Sequence, residues 1–141
     1  MNGQDIFATF ECSVVDEPEF SESDDVLVAG GCKISVMLIA ILRDMGYSVD
    51  GPYERSFYGW EFIASGHGQK YFFVLQLIEE WLLIAEDVTG FIGKLRKNRP
   101  SLRDMLDKLS LRLISDGRFH NILWFSREEY SSGNTIGRSS P

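Results

Sequence analysis

The stretch QKYFFVLQLIEEWLLIAED, residues 69 to 87, carries the strongest apolar pattern in the chain. Seven of the eight residues from Tyr71 to Ile78 are apolar, as are all five from Trp81 to Ala85, and Glu79 and Glu80 separate the two runs. Two short apolar runs on either side of a charged pair predict an antiparallel hairpin at the centre of a sheet. Just before it, GWEFIA at 59 to 64 alternates, with Trp60 and Phe62 facing one way and Glu61 and Ile63 the other. The glycine-flanked Ser65 to Gly68 is the turn between these strands. IFATFECSVV at 6 to 15 predicts a first strand and FHNILWF at 119 to 125 a last one.

Two segments have helical spacing instead. Ile34, Met37, Leu38, Ile41, Leu42 and Met45 recur at three- and four-residue steps and predict a helix from about Val28 to Met45. Gly46 supplies the left-handed position that ends it, and Arg43 sits in the last turn, where positive charge suits the dipole. In the second segment Pro100 precedes Ser101, and Asp104 stands three residues on, as in a capping box. Leu102, Met105, Leu106, Leu109 and Leu113 form its buried stripe, and Gly117 closes it.

This order predicts a single α+β domain over 1–130, two-layered, with an antiparallel sheet of about five strands and two helices on one face. Residues 16–27 read as an acidic linker inside it, because Pro18 forbids a regular central strand, and Phe20 is expected to tuck onto the core. Gly51-Pro52 is expected to turn the chain ahead of a mixed loop, Tyr53 to Tyr58. Residues 131–141, small and polar, are expected to form a disordered tail. The hairpin strands are apolar at odd and even positions alike, so both sheet faces are oily while one helix layer covers one of them. The second face is then capped by loops, buried in a homodimer, or offered to a partner.

Charge refines this picture. The net charge is −7, yet the first 25 residues hold eight acids and no base, while the remaining chain holds 13 acids and 14 bases. Such a cluster is either a solvated loop or a means of steering a basic partner. Lys94, Arg96, Lys97, Arg99 and Arg103 form a basic run without the aromatic pattern of a nucleic-acid binder, and nucleic acid is not an expected partner. The longest apolar run, Ile34 to Leu42, falls well short of the roughly 18 to 20 residues of a membrane span. The N-terminus has an acid where a secretory leader carries bases. With Cys12 and Cys32 outside any C-x-x-C pair, the expectation is a cytoplasmic protein with two buried free thiols.

Candidate chemistry is sparse. Gly30-Gly31 with Lys33 lacks the spacing of either glycine-rich phosphate motif and reads as a helix start packed closely on a neighbour. His67 lies in a turn and His120 at a strand end, and neither has a second metal ligand near it in sequence. Glu61, Glu86, Asp87 and His67 are the acids and bases that an enzyme reading would draw on. No catalytic, cofactor-binding or metal residues are assigned.

Gly46-Tyr47, Gly51-Pro52-Tyr53, Gly59-Trp60 before a strand, and Ile122 with Trp124 in the last strand resemble a loose group of small uncharacterised bacterial proteins. Some of that group look like immunity proteins of polymorphic toxin systems. The resemblance spans about residues 29 to 125 and rests on turn residues; Phe57-Tyr58 stand where the group leads one to expect acids. It implies a non-catalytic domain that covers a basic toxin and transfers no site residue. The expected contact residues come from the loop aromatics, Tyr53, Phe57, Tyr58 and Trp60, and from the acids Asp16, Glu17, Glu19, Glu22, Asp24 and Asp25. Two other readings stand beside it: a small-ligand domain or enzyme with a pocket near the 53–62 loop, and a structural homodimer.

Overall fold

The computed structural model describes residues 5–55, 59–90, 101–133 and 136–141, with backbone only for Val26 and Leu27. Six antiparallel strands form the main sheet: β1 (Ile6–Cys12), β4 (Ser48–Arg55), β5 (Gly59–Gly66), β6 (Gln69–Leu77), β7 (Trp81–Asp87) and β8 (Phe119–Ser126). Their spatial order is β4-β5-β6-β7-β1-β8. β4 to β7 form a meander, after which β1 pairs with β7 and β8 pairs with β1. A separate two-stranded hairpin consists of β2 (Glu19–Phe20) and β3 (Val26–Val28). The helices are α1 (Cys32–Asp44), α2 (Leu102–Asp116) and α3 (Arg127–Ser132). None of the described helices is long and apolar enough to cross a membrane.

The α+β class and the antiparallel sheet agree with the hydrophobic pattern, with six main strands instead of about five and three helices instead of two among the described residues. The central hairpin folds as expected, with Leu77 opposite Trp81 across Ile78, Glu79 and Glu80. His67 and Gly68 form the two-residue turn between β5 and β6; both have positive φ, as a type I′ turn requires. Alternation then divides the side chains. Phe62, Ala64, Tyr71, Phe73, Leu75, Trp81, Leu83 and Ala85 face α1 and α2, meeting Ile34, Leu38, Leu42, Met105, Leu106 and Leu109 in the main core. Each fully buried leucine, isoleucine, phenylalanine or methionine among them contributes on the order of 1.5–3 kcal/mol.

In β8, Phe119 and Trp124 have opposite parity but share the core face. A register shift lies between the pairs Thr9–Leu123 and Glu11–His120, with Asn121 at φ 53. The extra residue resets the alternation, and asparagine tolerates the left-handed position better than most residues.

Four expectations are corrected. α1 starts at Cys32, not near Val28, because the chain runs as β3 and then through Gly30-Gly31 before the helix begins. The acidic linker contains the β2–β3 hairpin, with Pro18 just before its first strand. Gly51-Pro52 does not end the extended segment: β4 runs on to Arg55, and the pairing shifts between Asp50 and Tyr53. β4 is an edge strand, where a missing proline N–H is tolerated.

The fourth correction concerns the C-terminus. Residues 131–141, expected as a disordered tail, contribute Ser131 and Ser132 to α3, and Arg138 exchanges both backbone hydrogen bonds with Trp124. The Arg138 guanidinium also donates to both Glu129 oxygens, at 2.8 Å each. Arg127 ion-pairs with the buried Asp5, tying α3 to the start of β1.

α3 lies on the face opposite the other helices. The Tyr130 ring is 5.1 Å from that of Phe7 and 5.7 Å from that of Phe125, over a small second core that includes Leu82. Further along this face, Arg55 lies over Phe72 and pairs with Glu61. Part of the second oily face is therefore closed by the chain's own helix, and Arg55, Glu61 and Phe72 lie on the part beyond it.

Candidate functional site

Two of the contact residues expected from sequence, Asp16 and Trp60, meet where α1 begins. Gly31 occupies the N-cap position of α1 at φ 117, and a Cβ there would meet Trp60, Trp81 and Leu75 at 3.2–3.3 Å. Only glycine fits this conformation and space, so the helix has no capping side chain of its own. Asp16 caps it from outside: its carboxylate accepts a 2.8 Å hydrogen bond from the Ile34 backbone N–H. Negative charge at this end also suits the helix dipole, and the first turn of α1 has no acid. The Asp16 to Pro18 backbone packs directly on Gly30, where a Cβ would lie 2.7 Å from the Asp16 carbonyl oxygen.

Two side chains from the β4–β5 hairpin lock the same segment. Trp60 donates its indole N–H to the Ala29 carbonyl at 2.9 Å, and Glu54 accepts from the Ala29 N–H at 2.7 Å. Asp16 and Trp60 were expected at a contact surface. Asp16 is buried and turned inward, and Trp60 is half-buried and committed to the helix entrance. Tyr53 pairs with Glu61, while Trp60 pairs with Glu54, so the two aromatics project from opposite faces of the sheet. Tyr53 is 55% exposed and donates to Asp50. Phe57 and Tyr58 lie outside the described residues, as do Lys94, Arg96, Lys97 and Arg99 of the basic run.

The other acids stay on the outside. Glu17, Glu19, Glu22, Asp24 and Asp25 are all exposed on or beside the β2–β3 hairpin. Phe20 sits among them at 55% exposure, where a position tucked onto the core was expected. The turn is held by its own polar groups: Ser21 Oγ accepts from the Asp25 N–H at 3.1 Å, and Ser23 Oγ donates to the Asp25 carboxylate. β2 is too short to bury its side chains, and the hairpin lies outside the main sheet. That explains why Phe20 stays out.

Three of the residues an enzyme reading would use have separate partners among the described residues. Glu61 pairs with Arg55, Asp87 accepts from the Thr89 N–H, and His67 lies beyond the far end of β5 beside Tyr47. Cys32 sits at the α1 entrance. Burial pushes its thiol pKa up, and the nearby Asp16 and Glu54 carboxylates push it further, away from the thiolate form a nucleophile needs.

A cleft of about 380 Å³ opens at the opposite end of β5 from Trp60, between the end of α1 and the outer side of α2. It lies away from the 53–62 loop, where a pocket was expected. Its signal in the sequence was Leu111, an apolar residue off the buried stripe of α2 that is exposed in the structure.

No family model, curated protein or solved structure matches this chain.

Proposed function

We propose that the chain is a non-catalytic protein-binding domain of the immunity or antitoxin type, which engages a basic protein through the β2–β3 hairpin. The observation that carries this reading is an exposed Phe20 on a short hairpin that carries five exposed carboxylates on or beside it. An apolar side chain ringed by polar groups is the usual composition of an interface hot spot, in which the ring keeps water from the centre. The carboxylates would steer a cationic partner and set its orientation, and Phe20 would supply the buried contact. Asp16 acts differently, fixing the base of the hairpin to α1 and so holding the acidic tip against a rigid support.

The experiment uses the full chain as an affinity bait in three forms. One is unaltered, one carries Phe20→Ala, and one carries Glu17→Gln, Glu19→Gln, Glu22→Gln, Asp24→Asn and Asp25→Asn. Because these side chains are exposed, both variants should unfold within about 0.5 kcal/mol of the parent. A basic protein should be retained by the parent at ~0.15 M salt, where the screening length is about 8 Å, and lost from both variants. If the parent captures no protein at this salt, or both variants retain what it captures, the reading is wrong.

A further inference from the structure

The apolar stripe of α2 does not account for Leu111, nor for the basic pair Lys108 and Arg112 that flanks it. Where α1 ends, Gly46 at φ 101 swings the chain away to Tyr47. The His67 ring stands edge-on to Tyr47 at 4.9 Å and approaches the Met45 carbonyl at 3.4 Å. These contacts hold the end of α1 against the β5–β6 turn and leave the cleft between it and α2 unfilled.

Met45, Tyr47, Met105 and Leu111 give this cleft apolar walls, and Lys108, Arg112 and His67 also line it. Among the described residues no Asp or Glu lines it, in a chain whose net charge is −7. The volume of about 380 Å³ is at the small end of the range for ligand sites. The two methionines offer flexible, polarisable walls that adapt to an aliphatic or aromatic body.

We infer that the cleft binds a small amphipathic carboxylate, its apolar body against Met45, Tyr47, Met105 and Leu111 and its head at Lys108 and Arg112. Among the described residues Lys108 is in no ion pair; Asp104, one turn earlier, interacts with it at longer range. Arg112 pairs with Asp44 at the rim, but that pair is well exposed on both sides. Exposed ion pairs contribute little, so a ligand carboxylate held partly out of water can take the guanidinium over. The site is independent of the hairpin and of what the hairpin binds.

Methionine-methyl NMR on the full chain tests this directly, because the protein has four methionines and two of them line the cleft. Octanoate and 1-octanol serve as probes of the same body with and without the charge. The Met45 and Met105 methyl signals should move saturably with octanoate while Met37, which does not line the cleft, stays in place. 1-Octanol should bind about tenfold more weakly, and Lys108→Gln should weaken octanoate about fivefold without changing the response to 1-octanol. Lys108 is exposed, so this variant should fold as the parent does. Static Met45 and Met105 signals, movement that includes Met37 equally, equal affinity for the two probes, or an unaffected variant would each overturn the inference.

Discussion

The two long helices begin in contrasting ways. α2 carries its own start: Ser101 Oγ accepts from the Asp104 N–H, and the Asp104 carboxylate accepts from the Ser101 N–H, each at 3.1 Å. α1 begins at a glycine with no capping side chain and takes its carboxylate from Asp16, 18 residues before the amide it bonds. The same backbone need, an acceptor for the exposed N–H groups of a first turn, is met locally in one helix and across the tertiary structure in the other. The difference shows what the acidic segment does for the fold. One of its carboxylates is a structural part of α1, while Glu17, Glu19, Glu22, Asp24 and Asp25 stay exposed.

The largest effect should come from breaking the distant cap. Asp16→Ala removes a buried acceptor and leaves an α1 amide without its partner, and should cost about 2 kcal/mol in chemical denaturation. Asp16→Asn keeps a carbonyl oxygen in the same place and should recover most of that loss. If both substitutions leave stability unchanged, Asp16 is not the cap. Ser101→Ala breaks the local counterpart. Because Ser101 is exposed and water can replace its oxygen, the expected cost is about 1 kcal/mol, near the middle of the range for such caps. A Ser101→Ala cost exceeding that of Asp16→Ala would reverse the comparison.

The same contrast explains what could be read from the sequence. The capping box of α2, the central hairpin and the facing of Trp60 and Phe62 are set by residues near one another in the chain, and each was legible; the turn expected over Ser65 to Gly68 narrows to His67-Gly68, because β5 runs on to Gly66. The features missed depend on distant partners. Nothing near Gly31 announces Asp16 as its substitute cap, and nothing near Trp60 shows that its N–H is taken by Ala29. Phe20 was misplaced because an isolated aromatic in an acidic segment ordinarily finds the core, whereas here Glu19 and Phe20 pair with β3 in a hairpin outside the main sheet. Tyr53 and Trp60 fell on opposite faces because β4 runs on as a strand through Gly51-Pro52, so strand alternation governs both residues. The cleft involves three separate parts of the chain, and only the off-stripe Leu111 hinted at it.

The smallest effect isolates the electrostatic part of the local cap. The Asp104 carboxyl is held below the usual carboxylate range, first by the Ser101 backbone N–H, then by the Ser101 side chain, with smaller help from Lys108 and Arg103. A folded-state pKa below the unfolded one means the charged form is favoured by folding. The contribution is therefore fully present above the unfolded value and is lost as pH falls through the folded one. Asp104→Asn lacks it at every pH. The melting temperatures of parent and variant should then differ most at neutral pH, begin to converge near pH 4, and meet in stronger acid. Because Asp104 is fully exposed, solvent screening keeps the gap small, and added salt should narrow it further at neutral pH. A gap that persists unchanged into strong acid would mean that the shape of the capping box, and not its charge, starts α2, leaving geometry as the common requirement of both helices.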